Sequence, residues 1–206
     1  MRALYKYPQA PFPYAALVEE NRRRGRDQPE YELVDTGVFA EGRYFDVEVE
    51  YAKASPTDVV VALTAANRGP EAATLDLLPT LWFRDSWSWG AGAPRPELRG
   101  LGGATVEARH EELGTYWLDC EGAPELLFTE NETNGQRLWG VSNRSPYVKD
   151  GINDAVVAGR TETVNPARVG TRCAARYRLR LGAGETARVR LRLSDERRSD
   201  PCAATG

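Results

Sequence analysis

The sequence predicts a mainly β protein, an antiparallel β-sandwich with one short N-terminal helix. Three observations carry that expectation. The last third ends in two alternating runs, in which Cys173, Ala175, Tyr177, Leu179 and Leu181 share one parity and Arg172, Arg176, Arg178 and Arg180 the other. Successive side chains of a strand point to opposite faces, so this alternation is the signature of a half-buried strand. The return run sets Val189, Leu191 and Leu193 against Arg188, Arg190 and Arg192, with Gly182-Ala183-Gly184-Glu185 as the turn. Several shorter runs of the same kind precede it, separated by regular turn signals, and helical periodicity is confined to one place.

From the N-terminus, Pro8-Gln9-Ala10-Pro11-Phe12-Pro13 is extended or turn-like, because its three prolines fix φ and remove donors. A helix is predicted from Tyr14 to Arg24. Tyr14, Leu17, Val18 and Asn21 form its stripe, and Gly25 is its stop. Phe45, Val47, Val49 and Tyr51 alternate with Asp46, Glu48 and Glu50, giving a strand with an acidic outer face. Val59 to Leu63 is more evenly apolar, as a central strand would be. Asn67-Arg68-Gly69-Pro70 turns the chain, and a strand from Leu75 to Leu78 follows. Further strands are expected at 104–110, 115–120 and 126–129. Gly90 to Gly103 reads as a mobile Gly/Pro loop, and Asn131 to Asn153 as a long polar loop of the kind that carries function. Residues 1–193 are read as one β-sandwich domain lacking its N-terminal strands, and 194–206 as a disordered tail.

Composition narrows the function. The formal net charge is -3, which argues against nucleic acid as a partner. The seven arginines of the final hairpin are read as a solvated face, partly paired with Asp46, Glu48 and Glu50. Cys120, Cys173 and Cys202 are isolated and odd in number, as reduced cytosolic thiols would be. His110 is the only histidine, so neither a zinc site nor a Ser-His-Asp triad has supporting residues. No apolar stretch is long enough for a membrane span and no signal-like h-region opens the chain, so the expected location is cytoplasmic. No metal and no cofactor are expected.

Three of the five tryptophans, Trp82, Trp87 and Trp89, fall within eight residues. In a continuous strand Trp82 would face away from the other two, leaving one face for the core and one for a ligand such as a sugar ring. Glu130 and Glu132 are two apart and would share a strand face. Paired carboxylates are what a glycosidase uses, but pairs at this spacing are also common on solvated faces. Asp150-Gly151-Ile152-Asn153-Asp154 misses EF-hand spacing and reads as an Asx-type turn. Asn131-Glu132-Thr133 and Asn143-Arg144-Ser145 match the glycosylation pattern by chance.

A set of ordered blocks runs through the chain. It includes Leu4-Tyr5-Lys6-Tyr7-Pro8-Gln9, Glu30-Tyr31-Glu32-Leu33-Val34-Asp35-Thr36-Gly37, Arg43-Tyr44-Phe45-Asp46-Val47 and Leu78-Pro79-Thr80-Leu81-Trp82-Phe83-Arg84. Further along come Phe128-Thr129-Glu130-Asn131-Glu132-Thr133-Asn134, Tyr147-Val148-Lys149-Asp150-Gly151 and Val164-Asn165-Pro166-Ala167-Arg168-Val169-Gly170-Thr171. Together they resemble the N-terminal region of bacterial relatives of mannosyl-oligosaccharide glucosidase, in glycoside hydrolase family sixty-three. The resemblance implies a supersandwich-like β domain preceding an (α/α)6 barrel that carries the catalytic carboxylates of an inverting α-glycosidase. The barrel blocks are absent, so no catalytic residue is assigned.

The implied function is a non-catalytic β-sandwich fragment that supports such a barrel. A stand-alone carbohydrate-binding module is the alternative, and a small enzyme using Glu130 and Glu132 a third reading. Trp87, Tyr147, Lys149 and Asp150 are the candidate residues facing sugar or barrel. The expected partners are carbohydrate or a helical barrel, with self-association through an exposed strand edge, and neither nucleic acid nor membrane.

Overall fold

The computed structural model describes residues 1–89 and 94–197. Twelve strands lie in antiparallel sheets among the described residues. They are β1 (Arg2–Pro8), β2 (Tyr44–Ser55), β3 (Asp58–Asn67), β4 (Ala73–Leu77), β5 (Thr80–Trp82) and β6 (Glu97–Gly102), then β7 (Thr105–His110), β8 (Gly114–Cys120), β9 (Glu125–Thr129), β10 (Val169–Gly170), β11 (Arg172–Leu181) and β12 (Thr186–Ser194). Three helices accompany them: α1 (Tyr14–Arg23), α2 (Gly135–Trp139) and α3 (Gly151–Ala158). The fold is therefore the mainly β, antiparallel sandwich that the alternating runs predict, with one correction. The helix at the N-terminus is joined by two more, both in a region read from sequence as loop and strand. Their boundaries have local causes. The Asn134 carboxamide oxygen accepts from the Arg137 amide at the start of α2, and Gly140 and Gly159 end α2 and α3 in the left-handed conformation.

The chain divides into two compact units, and each draws on separated segments. The first comprises Met1–Glu50, Ala62–Leu75 and Leu179–Arg188. Here β1 pairs with β2 from Arg2 opposite Glu50 to Pro8 opposite Tyr44. β1 stands at the end of the strand order β1-β2-β3-β12 and is exposed at every residue except Pro8. The apolar stripe of α1 is only partly covered, with Tyr14 and Val18 exposed and Leu17 half-buried. Phe45, Leu63, Ala65 and Leu181 are among the buried apolar residues of this unit.

At its centre is Asn67, fully buried. Its amide nitrogen donates to the carbonyls of Glu71 (2.7 Å), Leu181 (3.0 Å) and Gly182 (3.0 Å). Its carboxamide oxygen accepts from the Gly69 amide (2.8 Å) and the Gln9 side chain (2.7 Å). One side chain thus satisfies the backbone of two turns far apart in sequence, which is why a polar residue is stable there.

The second unit comprises Tyr51–Val61, Asp76–Arg178 and Val189–Gly206. One sheet runs β12-β8-β7-β6-β10, and a smaller sheet has β5, β9 and β4 paired with β11. Buried Cys120 on β8 and Cys173 on β11 come from the two sheets. Burial, with Cys120 nearby, pushes the Cys173 thiol far above its ordinary pKa, so it behaves as a small core hydrophobe. The Tyr177 hydroxyl donates to the Glu121 carbonyl (2.8 Å), satisfying the polar end of a buried ring. Leu127, Ala174 and Ile152 form a buried cluster in which α3 packs on β9 and β11. Gly151 and Gly170 allow close approach. A β-carbon at either would fall within 3 Å of a backbone carbonyl oxygen, that of Thr163 or Thr129.

Two local readings change. Glu97–Gly102, read as loop, is β6, paired with β7 from Glu97 opposite Arg109. Residues 90–93 of that loop and 198–206 of the expected tail lie outside the described residues. The arginine face of the last hairpin is paired with many acids rather than one strand. Arg176 meets Asp76 and Glu125, Arg188 meets Glu50, and Arg190 meets Glu121. Arg192 is not solvated at all. Its guanidinium takes Asp58 in a fork, Nε to Oδ1 at 2.8 Å and Nη2 to Oδ2 at 2.5 Å, with the two side chains 6% and 5% exposed.

Two aspartates predict acid sensitivity. Burial acts to raise the pKa of Asp46, but hydrogen bonds from Lys6 and Arg68 outweigh it and hold the carboxyl below its ordinary value. The hydrogen bond from Arg137 does the same for Asp154, with burial opposing and Arg160 assisting. A carboxyl whose folded pKa is depressed stabilises the fold fully above its unfolded pKa, about 3.9. That contribution is lost as pH falls through the lower, folded value. Asp154→Asn is therefore expected to lower the urea midpoint at neutral pH and to flatten its fall below about pH 4. An unchanged acid slope would contradict this linkage.

Candidate functional site

The aromatic run does not continue as a strand. β5 ends at Trp82, and Ser86–Ser88 is a single 3-10 turn. The cause is local: the Ser88 hydroxyl donates to the Asp85 carbonyl (2.9 Å) and Ser86 to Arg84 (3.4 Å), offering the backbone an alternative to the ladder. This turn buries Trp87, while Trp82 and Trp89 stay exposed. The Arg84 guanidinium lies over the Trp89 ring, 4.7 Å from its centroid. The ring of His110, the lone histidine, packs against Phe83 at 5.5 Å.

The Trp87 indole N–H donates to Glu132 Oε1 (3.2 Å), linking the turn to the polar segment after β9. Arg95 reaches both acids of the pair, Glu130 Oε2 at 2.6 Å and Glu132 Oε1 at 3.5 Å. Glu130 also accepts from the Thr171 hydroxyl (2.8 Å). The two carboxylates are thus tied to one cation and to protein donors, which fits an anchoring pair.

Beside Glu132 opens a cleft of about 330 Å3. Ligand sites occupy about 300–1,000 Å3, so this one suits a small polar molecule. Asp85 and Glu132 bring carboxylates to its lining, Asn143 an amide and Arg144 a guanidinium, with the hydroxyls of Ser88 and Ser142 among them. Asp85 Oδ1 is buried and has no hydrogen-bond partner. Asn143 is fixed by the Gln136 amide and by Asn134, which also caps α2. Gly135 forms part of the lining, and Trp139 and Val141, both exposed, lie against it. Planar amides and carboxylates bond adjacent hydroxyls pairwise, so the lining matches a polyol better than an apolar ligand.

Of the residues singled out from sequence, Glu132 lines this cleft, whereas Trp87, Tyr147, Lys149 and Asp150 do not. Trp87 acts through Glu132. Tyr147 is half-buried, and its carbonyl accepts from the Glu130 amide (2.8 Å). Lys149 is exposed, and its backbone N–H donates to the Glu132 carbonyl (3.1 Å). Asp150 precedes α3 and is engaged by Arg137 Nη1 (2.6 Å) and Asn134 Nδ2 (3.1 Å). Asp85, Ser88, Ser142, Asn143 and Arg144 were missed. Only the serine- and asparagine-rich composition of their segments hinted at them. No group of three or more His, Cys, Asp or Glu could hold a metal among the described residues. None of their helices is long and apolar enough to cross a membrane.

No protein-family model matches the chain. The chain is 30% identical, over 95% of its length, to an uncharacterized protein of Saccharomyces cerevisiae, YMR196W, and spans only 21% of that protein. Among solved structures, a polysaccharide lyase superposes over 73% of this chain and 20% of its own, with a TM-score of 0.44 and 14% identity.

Proposed function

We propose that the chain is a non-catalytic β-sandwich portion of a larger glucosidase-like glycoside hydrolase, and that its cleft at Asp85 and Glu132 contacts carbohydrate. The observation that carries this reading is the polar cleft, whose lining brings together Asp85, Glu132, Asn143 and Arg144. The match to about a fifth of a longer relative supports a role as part of a larger protein. The sequence blocks that resemble family sixty-three supply the sugar class. In this reading a helical barrel elsewhere in the protein supplies the acid and base.

The test is a maltose titration of the labelled chain. Amide shifts at Ser142–Arg144 are expected, with affinity reduced about tenfold by Asp85→Asn through loss of one charged hydrogen bond. No turnover of an aryl α-glucoside is expected. An absence of shifts would sink the cleft assignment. Turnover that Glu132→Gln abolishes would replace it with the small-enzyme reading.

A further inference from the structure

A second constellation lies on the smaller sheet of the second unit, away from the cleft lining. Arg172 on β11 is opposite Trp82 on β5 and opposite Thr129 on β9. Directly opposed residues of an antiparallel pair project to the same face, so the three side chains stand in a row. The row ends in an exposed tryptophan, 52% accessible.

Arg172 is only partly satisfied by the protein. Nη1 donates to Asn131 Oδ1 (3.2 Å), and Asn131 is held by its own bond to the Phe83 carbonyl (2.9 Å). Nε is buried without a hydrogen-bond partner, and so is the neighbouring Thr129 hydroxyl. No carboxylate lies within ion-pair distance of Arg172 among the described residues, unlike Arg176, Arg188, Arg190 and Arg192 on the same hairpin. Its pKa is lowered, and desolvation is the cause. A guanidinium held half-buried without a counter-ion is costly unless an anion completes it.

We propose that Trp82, Arg172 and Asn131 form a subsite for a carboxylate-bearing pyranose, a uronic-acid unit. The sugar ring lies on the exposed Trp82 face, and its carboxylate takes the terminal guanidinium N–H groups that Asn131 leaves open. Nε is sealed from solvent and holds the guanidinium plane in place without meeting the ligand. A neutral sugar would leave the charge uncompensated, and a small inorganic anion would make no use of the ring. The choice of a sugar rests on the carbohydrate reading above, but the site is distinct from the cleft.

Calorimetric titration of the full chain with D-glucuronate, D-glucose and acetate tests it. Glucuronate is expected to bind at least about tenfold more tightly than either of the others. Trp82→Ala and Arg172→Gln should each weaken it about tenfold. Trp82 is exposed, so its replacement tests the site even where Arg172→Gln fails to fold. Equal affinity for glucose and glucuronate would overturn the role of Arg172. Equal affinity for acetate and glucuronate would reduce the site to a pocket for an adventitious anion only. Asp85→Asn separates the two readings. It should leave glucuronate binding intact. Loss of that binding would place the uronate in the cleft and remove this subsite while the cleft reading stands.

Discussion

Asp58→Ala is expected to destabilise the protein by about 3–5 kcal/mol, the cost of leaving one member of a buried ion pair without its partner. The pair is forked and almost wholly withdrawn from water. Arg192 would keep its charge in a space where hydration cannot reach it. The double replacement Asp58→Leu with Arg192→Met is expected to recover most of the loss, because a buried ion pair is often matched by apolar residues of similar volume. Urea unfolding of Asp58→Leu, Arg192→Met and the double provides the cycle. Additive losses would show that the pair is not the coupled unit described here.

Asn67→Ala is expected to cost about 3 kcal/mol or more, since each buried group left unbonded carries a penalty of about 1–3 kcal/mol. The Glu71 and Leu181 carbonyls and two donors lose this partner together, while the Gly182 carbonyl keeps the Glu185 amide. Asn67→Asp should be worse, despite its nearly identical shape. The amide nitrogen becomes an oxygen facing three carbonyl oxygens, and it can donate only if protonated. Thermal unfolding of the two variants separates these effects. If Asn67→Asp left the protein as stable as wild type, the amide would not be the group that matters.

The strands were legible because their pattern is dictated by burial of one face. Phe45 and Val47, and Cys173 through Leu181, alternate as they must when one side meets the core. β1 was missed because almost none of its residues is buried and Leu4 interrupts the short alternation of Ala3, Tyr5 and Tyr7 with Arg2 and Lys6. β6 was missed because Gly100 and Gly102 imitate a loop, although Gly100 lies in a bulged register opposite Val106. The helices α2 and α3 are five and eight residues long, too short for a periodic stripe, and only their caps mark them.

The cleft was less legible still. Asp85, Glu132 and Asn143 meet through a 3-10 turn and a side chain capping α2, and neither contact has a repeat in sequence. Trp87 and Glu132 were both noticed, but nothing in their spacing says that one donates to the other. Arg172 was counted with its neighbours as one basic face, and only the structure separates it from the arginines that have counter-ions.

The Asn67 side chain also sets a timetable. Two of its carbonyl partners, Leu181 and Gly182, are 114 and 115 residues further along the chain. A ribosome adds about 5–20 residues per second, so on the order of ten seconds separates synthesis of the donor from synthesis of its acceptors. During that interval the first unit lacks its third segment, and β1, with Leu4, Tyr5 and Tyr7, has no finished sheet behind it. The exposed edge of β1 is therefore made well before the turn that completes the first unit, and a strand edge left waiting is a template for pairing with another chain.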